Sequence, residues 1–248
     1  MLLTSGEDVD KQFRVKLIVR RAPVLASINW LKQAWAIFIK APLNWVLMFI
    51  ILGAIALLGQ IHPFTAVIGI LLNPFLTAGM YKSVVAIQNQ QTMQFTGLFS
   101  PLKETGCRAV FIRLAGLNML ASIPLSSLAV VLMQQQQDNN LQMPLVLLFV
   151  MGFVLVWMIF AYAVAIAYFL KERRLLAIMQ ASFVACWRNI IPLMVFLLLS
   201  LVLIMLTMPT YFIGLLVVVP VLNIAFFLSF NEFFALQVKA TDDAVLEV

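Results

Sequence analysis

The sequence predicts an all-α, polytopic membrane protein. Hydrophobic residues make up 64% of the 248 residues and charged residues only 10%, and the mean hydropathy is +1.05. So little polar surface cannot cover a water-soluble globule of this size, so lipid must be part of the solvent. Six apolar runs, with the basic residues confined to alternate ends of them, complete the prediction.

Each of the six runs is close to the roughly 20 residues that a helix needs to cross a bilayer. They cover residues 43–59, 64–82, 112–133, 144–170, 190–208 and 212–234. The fourth run is the longest, and it is expected either to tilt or to continue as a helix beyond the bilayer. The outer turns, GQIHPF, MQQQQDNNLQMP and TMPTYF, are short. They leave no room for a folded external domain.

Basic residues fix the expected orientation. All sixteen Lys and Arg residues fall on one side of this topology. Because cytoplasmic loops retain Lys and Arg, both termini are expected in the cytoplasm. The net charge of +6 is then explained by topology and by contact with anionic lipid, without a nucleic-acid partner. The predicted lipid contacts are Lys11, Arg14, Lys16, Arg20, Arg21, Lys171, Arg173 and Arg174.

The chain is expected to contain one membrane domain, residues 24–236. A basic cytoplasmic segment, residues 1–23, precedes it, and a short cytoplasmic tail, residues 237–248, follows. Two cytoplasmic stretches predict amphipathic helices that lie in the membrane interface, because apolar residues recur there at three- and four-residue steps. The first runs from Val24 to Lys40, with Val24, Ile28, Leu31, Trp35 and Phe38 on its apolar face. The second, weaker one runs from Leu175 to Asn189.

A repeated unit is also consistent with the pattern. Each interfacial stretch is followed by a proline (Pro42 or Pro192), a span, a short turn and a second span with a proline inside it (Pro74 or Pro220). Both copies would have the same orientation, so the repeat would be parallel, unlike the inverted repeats of many transporters. The third and fourth spans would be an inserted hairpin.

Three asparagines are the notable polar residues at mid-membrane depth: Asn73, Asn118 and Asn223. Two interpretations stay open. Together with carbonyl groups freed by the nearby prolines, the asparagines could line a polar cavity. Alternatively, each amide bonds a neighbouring helix and each proline only bends its own helix.

No set of residues indicates catalysis. A nucleophile with its base, a carboxylate pair or a metal-ligand cluster would be needed at membrane depth, and the sequence places none there. Cys107 and Cys186 fall at cytoplasmic ends of spans, where thiols stay reduced, and His62 has no second ligand near it. We therefore expect a protein that is not an enzyme, without a cofactor or a metal.

Three stretches carry a resemblance: INWLKQAWAIFIKAPLNW, LLNPFLTAGMYKSVVA and ERRLLAIMQASFVACWRNIIPLMVF. In these, the chain resembles a family of bacterial inner-membrane proteins with six predicted spans. The broader group is similar to the membrane domain attached to some glycerophosphodiester phosphodiesterases. The resemblance covers most of residues 25 to 236 and depends on the placement of aromatic residues and prolines. It implies a bacterial inner-membrane location and carries over no catalytic residue.

The functional expectation follows from the basic rim and the interfacial helices. They favour a lipid-interacting or membrane-organising protein, with anionic membrane lipids as its partners. The alternative is a transporter or channel for a small polar or amphiphilic molecule, with the three asparagines around its pathway. The sequence does not specify a ligand or an oligomeric state.

Overall fold

Helices form the architecture of the computed structural model, which describes residues 18–138, 140 and 142–235. They are α1 (Ala26–Phe38), α2 (Pro42–Ile61), α3 (Pro63–Gln88), α4 (Ser100–Lys103), α5 (Thr105–Gln137), α6 (Met143–Phe160), α7 (Ala163–Phe169), α8 (Leu175–Arg188), α9 (Ile190–Met205) and α10 (Leu215–Phe233). Two 3-10 helices, Phe95–Phe99 and Met208–Thr210, lie between them. The two-residue strands β1 (Ile18–Val19) and β2 (Phe234–Ala235) pair antiparallel.

Six helical segments in the described residues are long and apolar enough to cross a membrane. They are Pro42–Ile61, Phe64–Gln88, Thr105–Gln137, Met143–Phe169, Ile190–Thr210 and Leu215–Phe233. The predicted all-α, polytopic fold with six spans is therefore confirmed.

Two helices extend further than their apolar runs. α3 continues to Gln88 and α5 begins at Thr105, so residues 83–88 and 105–111, with Arg108 among them, also lie inside helices. The apolar run marks the stretch that needs lipid around it, whereas a helix continues wherever its backbone hydrogen bonds continue. The length of a hydrophobic run therefore underestimates both helices.

The fourth span is not one continuous helix. It is interrupted at Ala161 and Tyr162, between α6 and α7. The Ser182 hydroxyl of α8 fills the interruption: it donates to the Met158 carbonyl at 2.8 Å and accepts from the Tyr162 amide at 3.1 Å. Two backbone groups that a break would leave unpaired inside the protein are thus satisfied.

The six spans form three antiparallel hairpins: α2 with α3, α5 with α6, and α9 with α10. We call the end that carries α1, α4 and α8 the basic end, and the end that carries the three short connections the turn end. α3 lies centrally, because it contacts α2, α5, α7 and α10.

A short helical segment packs beside each hairpin at the basic end. α1 packs on α10 and α9, the segment with Phe95–Phe99 and α4 packs on α3, and α8 packs on α6 and α7. Each segment thus lies mainly against the second span of another hairpin. The sequence suggested a unit repeated twice with an inserted hairpin, whereas the contacts give the middle hairpin a comparable short segment of its own.

The packed core lies in the half of the bundle next to the basic end. Aromatic residues of α3 and α10, together with Tyr162 just before α7, fill much of it. The Tyr162 ring stacks on Phe226 at 4.8 Å between centroids, and the Tyr81 ring stacks on Phe227 at 4.6 Å. Tyr162 Oη and Ser229 Oγ share a hydrogen bond of 2.7 Å. Such offset and edge contacts add directional packing to the burial of area.

The half next to the turn end is much more exposed. Large apolar side chains there, such as Leu57, Phe64 and Met151, are about two-thirds exposed, at 70%, 68% and 68%. Ser200 and Thr207 are among the residues that stay buried there. Close contacts of Gly59 with Ala66 and of Gly152 with Leu125 join the helices of the first two hairpins on this side. These apolar surfaces need lipid around them.

Candidate functional site

Positive charge collects at the basic end. Every Lys and Arg in the described residues lies there, on α1, on the basic-end portions of the spans or in the connections between them. The turn end carries Asp138 and His62. This asymmetry was predicted from the sequence.

Helix α1 has three different sides. The first is buried against α10 and α9 and contains Ala26, Trp30, Ala34 and Ile37. The second is apolar and exposed; it contains Ile28, Trp35 and Ile39, at 37%, 51% and 55% exposure. The third is polar and exposed, with Asn29, Lys32, Gln33 and Lys40. At 100° per residue the three sets occupy separate sectors of the helix.

Only part of the apolar face predicted for α1 is exposed. Val24, Ile28 and Trp35 are exposed, whereas Phe38 is buried. The sequence pattern identified the exposed apolar side and missed the side that packs on protein, because Ala26 and Ala34 give a weak hydrophobic signal although the close approach of α10 requires small residues.

Helix α8 has a similar arrangement. Ile178, Ser182 and Ala185 are buried, while Leu176 and Trp187 are exposed at 73% and 64%. A stacked aromatic pair lies on each of the two helices, Trp35 with Phe38 on α1 and Phe183 with Trp187 on α8, with ring centroids 5.7 and 6.1 Å apart. Both helices thus offer an exposed tryptophan at the basic end.

The β1 strand brings three arginines together. The Arg20 amide donates to the Phe233 carbonyl at 2.9 Å, and the Asn189 side chain donates to the Arg20 carbonyl at 3.0 Å. Arg188 donates to the Val19 carbonyl at 3.2 Å. Exposed Arg20 and Arg21 therefore lie beside exposed Arg188. No sequence pattern links these positions, because they are well over a hundred residues apart.

The predicted lipid contacts that follow α7 are Lys171, Arg173 and Arg174, and only part of this group is free to bind lipid. The Arg174 guanidinium pairs with Glu172 at 3.1 Å, and the backbone amides of Arg173 and Arg174 also donate to Glu172. These hydrogen bonds lower the pKa of Glu172. Lys171 and Arg173 are exposed and line a small cleft of about 230 Å³ beside Tyr168. The predicted contacts Lys11, Arg14 and Lys16 lie outside the described residues.

A larger cleft, which the sequence did not indicate, lies between α3 and the connection that follows it. Its volume is about 570 Å³. We call it the two-lysine cleft; the polar residues that line it include Lys82, Lys103, Ser83, Ser100, Thr92 and Gln94. Lys82 forms a salt bridge of 2.9 Å with Glu104, whose carboxylate also accepts from the Tyr168 hydroxyl at 3.0 Å.

The three asparagines lie about 15 to 22 Å from the basic end of their helices, at 1.5 Å per residue. Asn73 is exposed. Asn118 is half-buried and interacts with Ser122, one turn along the same helix, and Asn223 donates to Val219 of its own helix at 3.2 Å. In the described part of the chain, no hydrogen bond joins one of them to another helix. The hydrogen bonds of the three asparagines therefore support neither interpretation from the sequence, the shared cavity or the bridging of neighbouring helices.

Glu232, near the basic end of α10, accepts a hydrogen bond from the indole nitrogen of Trp30. Within the described residues the salt bridges involve Glu104 and Glu172, and none joins Glu232 to an arginine. Glu232 therefore helps to fix α1 on α10.

Residues 18–138, 140 and 142–235 bring no three His, Cys, Asp or Glu side chains together as metal ligands. No family model, curated protein or solved structure matches this chain. The resemblance noted in the sequence therefore stays a prediction, and functional inference depends on the geometry of the basic end.

Proposed function

We propose that the protein is a non-enzymatic, lipid-interacting component of the bacterial inner membrane that organises anionic lipid at the cytoplasmic leaflet. Its basic end faces the cytoplasm, and both termini lie on that side. The single observation that carries this proposal is the three-sided surface of α1.

A helix with separate protein, apolar and polar sides has one favourable position in a membrane. α1 has 13 residues and is about 20 Å long, too short to span the hydrocarbon core. When it lies in the interface, exposed Trp35 and Ile28 contact acyl chains while Lys32 and Lys40 reach the headgroups. If α1 crossed the membrane instead, its polar side chains would lie in hydrocarbon, where no water could hydrogen-bond to them.

The charge distribution supports the choice of leaflet and of lipid. Cytoplasmic segments retain Lys and Arg, and each basic residue near an anionic surface contributes about 1 kcal/mol to attraction. Exposed Arg20, Arg21 and Arg188 lie together, which makes this patch the strongest candidate for headgroup contact.

The test is retention of anionic lipid on the purified protein, measured by native mass spectrometry. Replacing Lys11, Arg14, Lys16, Arg20 and Arg21 by glutamine should reduce the number of phosphatidylglycerol molecules retained. A smaller matched comparison uses single changes: Arg21→Gln should have a larger effect than Arg174→Gln, because the Arg174 guanidinium already pairs with Glu172. Unchanged retention in the five-residue variant would contradict the proposal.

A transporter or channel is the second candidate. It is favoured by the exposure of Asn73 on the central helix α3, next to buried Pro74, where the packed half of that helix begins. The test is labelling of Asn118→Cys by a membrane-impermeant maleimide, with Cys107 and Cys186 replaced and Asp138→Cys as the accessible control. Labelling at position 118 would indicate a water-filled path and favour transport; protection there supports the lipid-organising protein.

A further inference from the structure

The two-lysine cleft contains a buried hydroxyl without a partner. Ser100 Oγ is inaccessible and makes no hydrogen bond within the described residues, although Ser100 lines the cleft. A buried polar atom left unpaired destabilises a fold, and native proteins usually pair such atoms with protein, water or ligand. Because Ser100 Oγ has no hydrogen bond to break, a rotation about the Cα–Cβ bond of Ser100 is the movement that would bring it from this inaccessible position to an acceptor bound in the cleft.

The cations of the cleft are also available. Lys103 is exposed and forms no salt bridge with a described residue. Lys82 contacts Glu104 through one hydrogen bond, and an ammonium group has three donors. Because Glu104 is shared with the Tyr168 hydroxyl, it positions Lys82 without occupying all of its donors.

The wall opposite α3 is fixed in place at three points. Asn44 Nδ2 of α2 donates to the Met93 carbonyl at 2.8 Å. The Leu98 backbone lies directly against Gly79 of α3, so closely that a Cβ at Gly79 would come within 2.1 Å of the Leu98 carbonyl oxygen. Arg108 donates twice to the Leu102 carbonyl, at 3.0 and 2.6 Å. A preformed cleft of this kind loses little conformational entropy on binding.

The cleft lies at the depth of lipid headgroups. From the start of the α3 span at Phe64 to Lys82 the helix rises about 27 Å, close to the thickness of the hydrocarbon core, about 30 Å. Phe95, 44% exposed, lies on the connection that forms the outer wall. Lys82 and Lys103 are therefore placed where phosphate groups, rather than acyl chains, are found.

We propose that the two-lysine cleft binds the phosphate group of an anionic phospholipid. Lys82 and Lys103 form ion pairs with the phosphate oxygens, and Thr92 and Gln94 contact the polar remainder of the headgroup. The Ser100 hydroxyl, once rotated toward the cleft, donates a further hydrogen bond. The inference rests on the proposed lipid-interacting function and deepens it, because it gives one lipid a defined site apart from the arginine patch. A free phosphate ion has the same chemistry, so the experiment must separate the two sources.

The experiment measures acylation of individual lysines by an amine-reactive reagent, with peptide mass spectrometry as the readout. The protein is reconstituted in nanodiscs of phosphatidylcholine alone or with phosphatidylglycerol. Labelling of Lys103 should fall about tenfold more than labelling of exposed Lys40 when phosphatidylglycerol is present, since charge-assisted hydrogen bonds of this strength change binding by that factor or more. Lys40 reports the general effect of a negative surface.

Ser100→Ala is the sharpest variant. It removes an unpaired hydroxyl, so folding should be unchanged or slightly improved, yet the specific protection of Lys103 should weaken. Arg108 and Glu104 are untouched, so the wall keeps its position. Equal protection of Lys103 and Lys40, or full protection in Ser100→Ala, would overturn the site.

Inorganic phosphate added to nanodiscs of phosphatidylcholine separates the sources. Protection of Lys103 by phosphate without phosphatidylglycerol would show a site for the free anion and overturn the lipid assignment. No protection by phosphate, together with protection by phosphatidylglycerol, supports it. The proposed function is tested independently by the glutamine variant of the N-terminal basic residues. If that variant retains less phosphatidylglycerol while Lys103 and Lys40 are protected equally, the proposed function stands and only the proposed binding site in the cleft is wrong.

Discussion

At the scale of single residues, Gly79 marks the closest contact between two elements at the basic end. Its missing side chain lets the Leu98 backbone lie directly on α3, since a Cβ there would meet three backbone atoms of Leu98 at 2.1 to 2.8 Å. Backbone atoms, unlike the end of a flexible side chain, cannot move aside alone. The contact therefore fixes the 3-10 helix Phe95–Phe99 and the wall of the two-lysine cleft.

We expect Gly79→Ala to destabilise the protein by about 1 to 3 kcal/mol, the usual range for overpacking. The measurement is the midpoint of thermal unfolding in detergent. Gly116→Ala is the matched control, because Gly116 is also helical and a Cβ there meets nothing within 4 Å. That change should be neutral or stabilising by up to about 1 kcal/mol. Equal midpoints for the two variants would contradict the close contact.

Cys186 should be chemically inert although it lies outside the spans. It is 1% exposed, and burial raises the pKa of its thiol to about 12. Only the thiolate reacts readily, so at pH 8 the reactive form is scarce. In a Cys107→Ser background, maleimide labelling of Cys186 should be far slower than labelling of Gln180→Cys, an exposed site on the same helix, measured with Cys186→Ala. Similar rates would show that α8 is not packed as described.

At the scale of elements, the break between α6 and α7 depends on a side chain from a different helix. Ser182→Ala removes the hydroxyl that pairs both groups, leaving the Tyr162 amide unpaired in the core and the Met158 carbonyl with only the weak thiol donor of Cys186. An unpaired buried group costs about 1 to 3 kcal/mol, so the variant should unfold at a clearly lower temperature. Ser127→Ala is the control: Ser127 is exposed and bonds only its own helix, and its loss should change stability by less than about 0.5 kcal/mol. A midpoint for Ser182→Ala equal to that of the control would contradict this role.

The helices also show which features of the fold could be predicted from the sequence and which could not. Apolar runs predicted six spans because hydropathy reports directly what lipid must surround. The break at Tyr162 was not predictable, since its cause is a serine twenty residues later. The same limit applies to α1: periodicity identified its exposed apolar side, with Ile28 and Trp35, but small Ala26 and Ala34 gave no sign that α10 would cover them.

At the scale of the whole molecule, the distribution of charge predicts sidedness. A cysteine placed at exposed Gln90, on the basic end, should react with an impermeant thiol reagent only from the cytoplasmic side of inverted vesicles, and one at Asp138 only from the opposite side. Both belong in a background without Cys107 and Cys186. The reason is the retention of Lys and Arg by cytoplasmic segments. The reverse pattern would mean an inverted topology and would contradict the proposed contact with the cytoplasmic leaflet.

The candidate sites were less predictable than the fold, for a physical reason. Lys82 and Lys103 are separated by a connection that packs on α3 at Gly79. Arg20 lies near Arg188 because Arg188 and Asn189 donate hydrogen bonds to the Val19 and Arg20 carbonyls. Such juxtapositions depend on tertiary contacts that no local pattern reports. Predicted lipid contacts such as Lys171 were chosen by charge and position alone, and charge could not indicate that Arg174 would turn back onto Glu172.

The packed core lies at the basic end, so the two halves of the molecule differ in how densely their side chains pack across the bilayer. On that side the Tyr162 ring packs on Phe226 and Phe233 of α10, and Tyr81 of α3 packs on Phe227, so side chains of all three hairpins meet in one core. On the other side side chains such as Leu57 and Met151 have mainly acyl chains for neighbours. The lateral pressure of that leaflet therefore acts on the less densely packed half of the bundle, where lipid surrounds much of the side-chain surface.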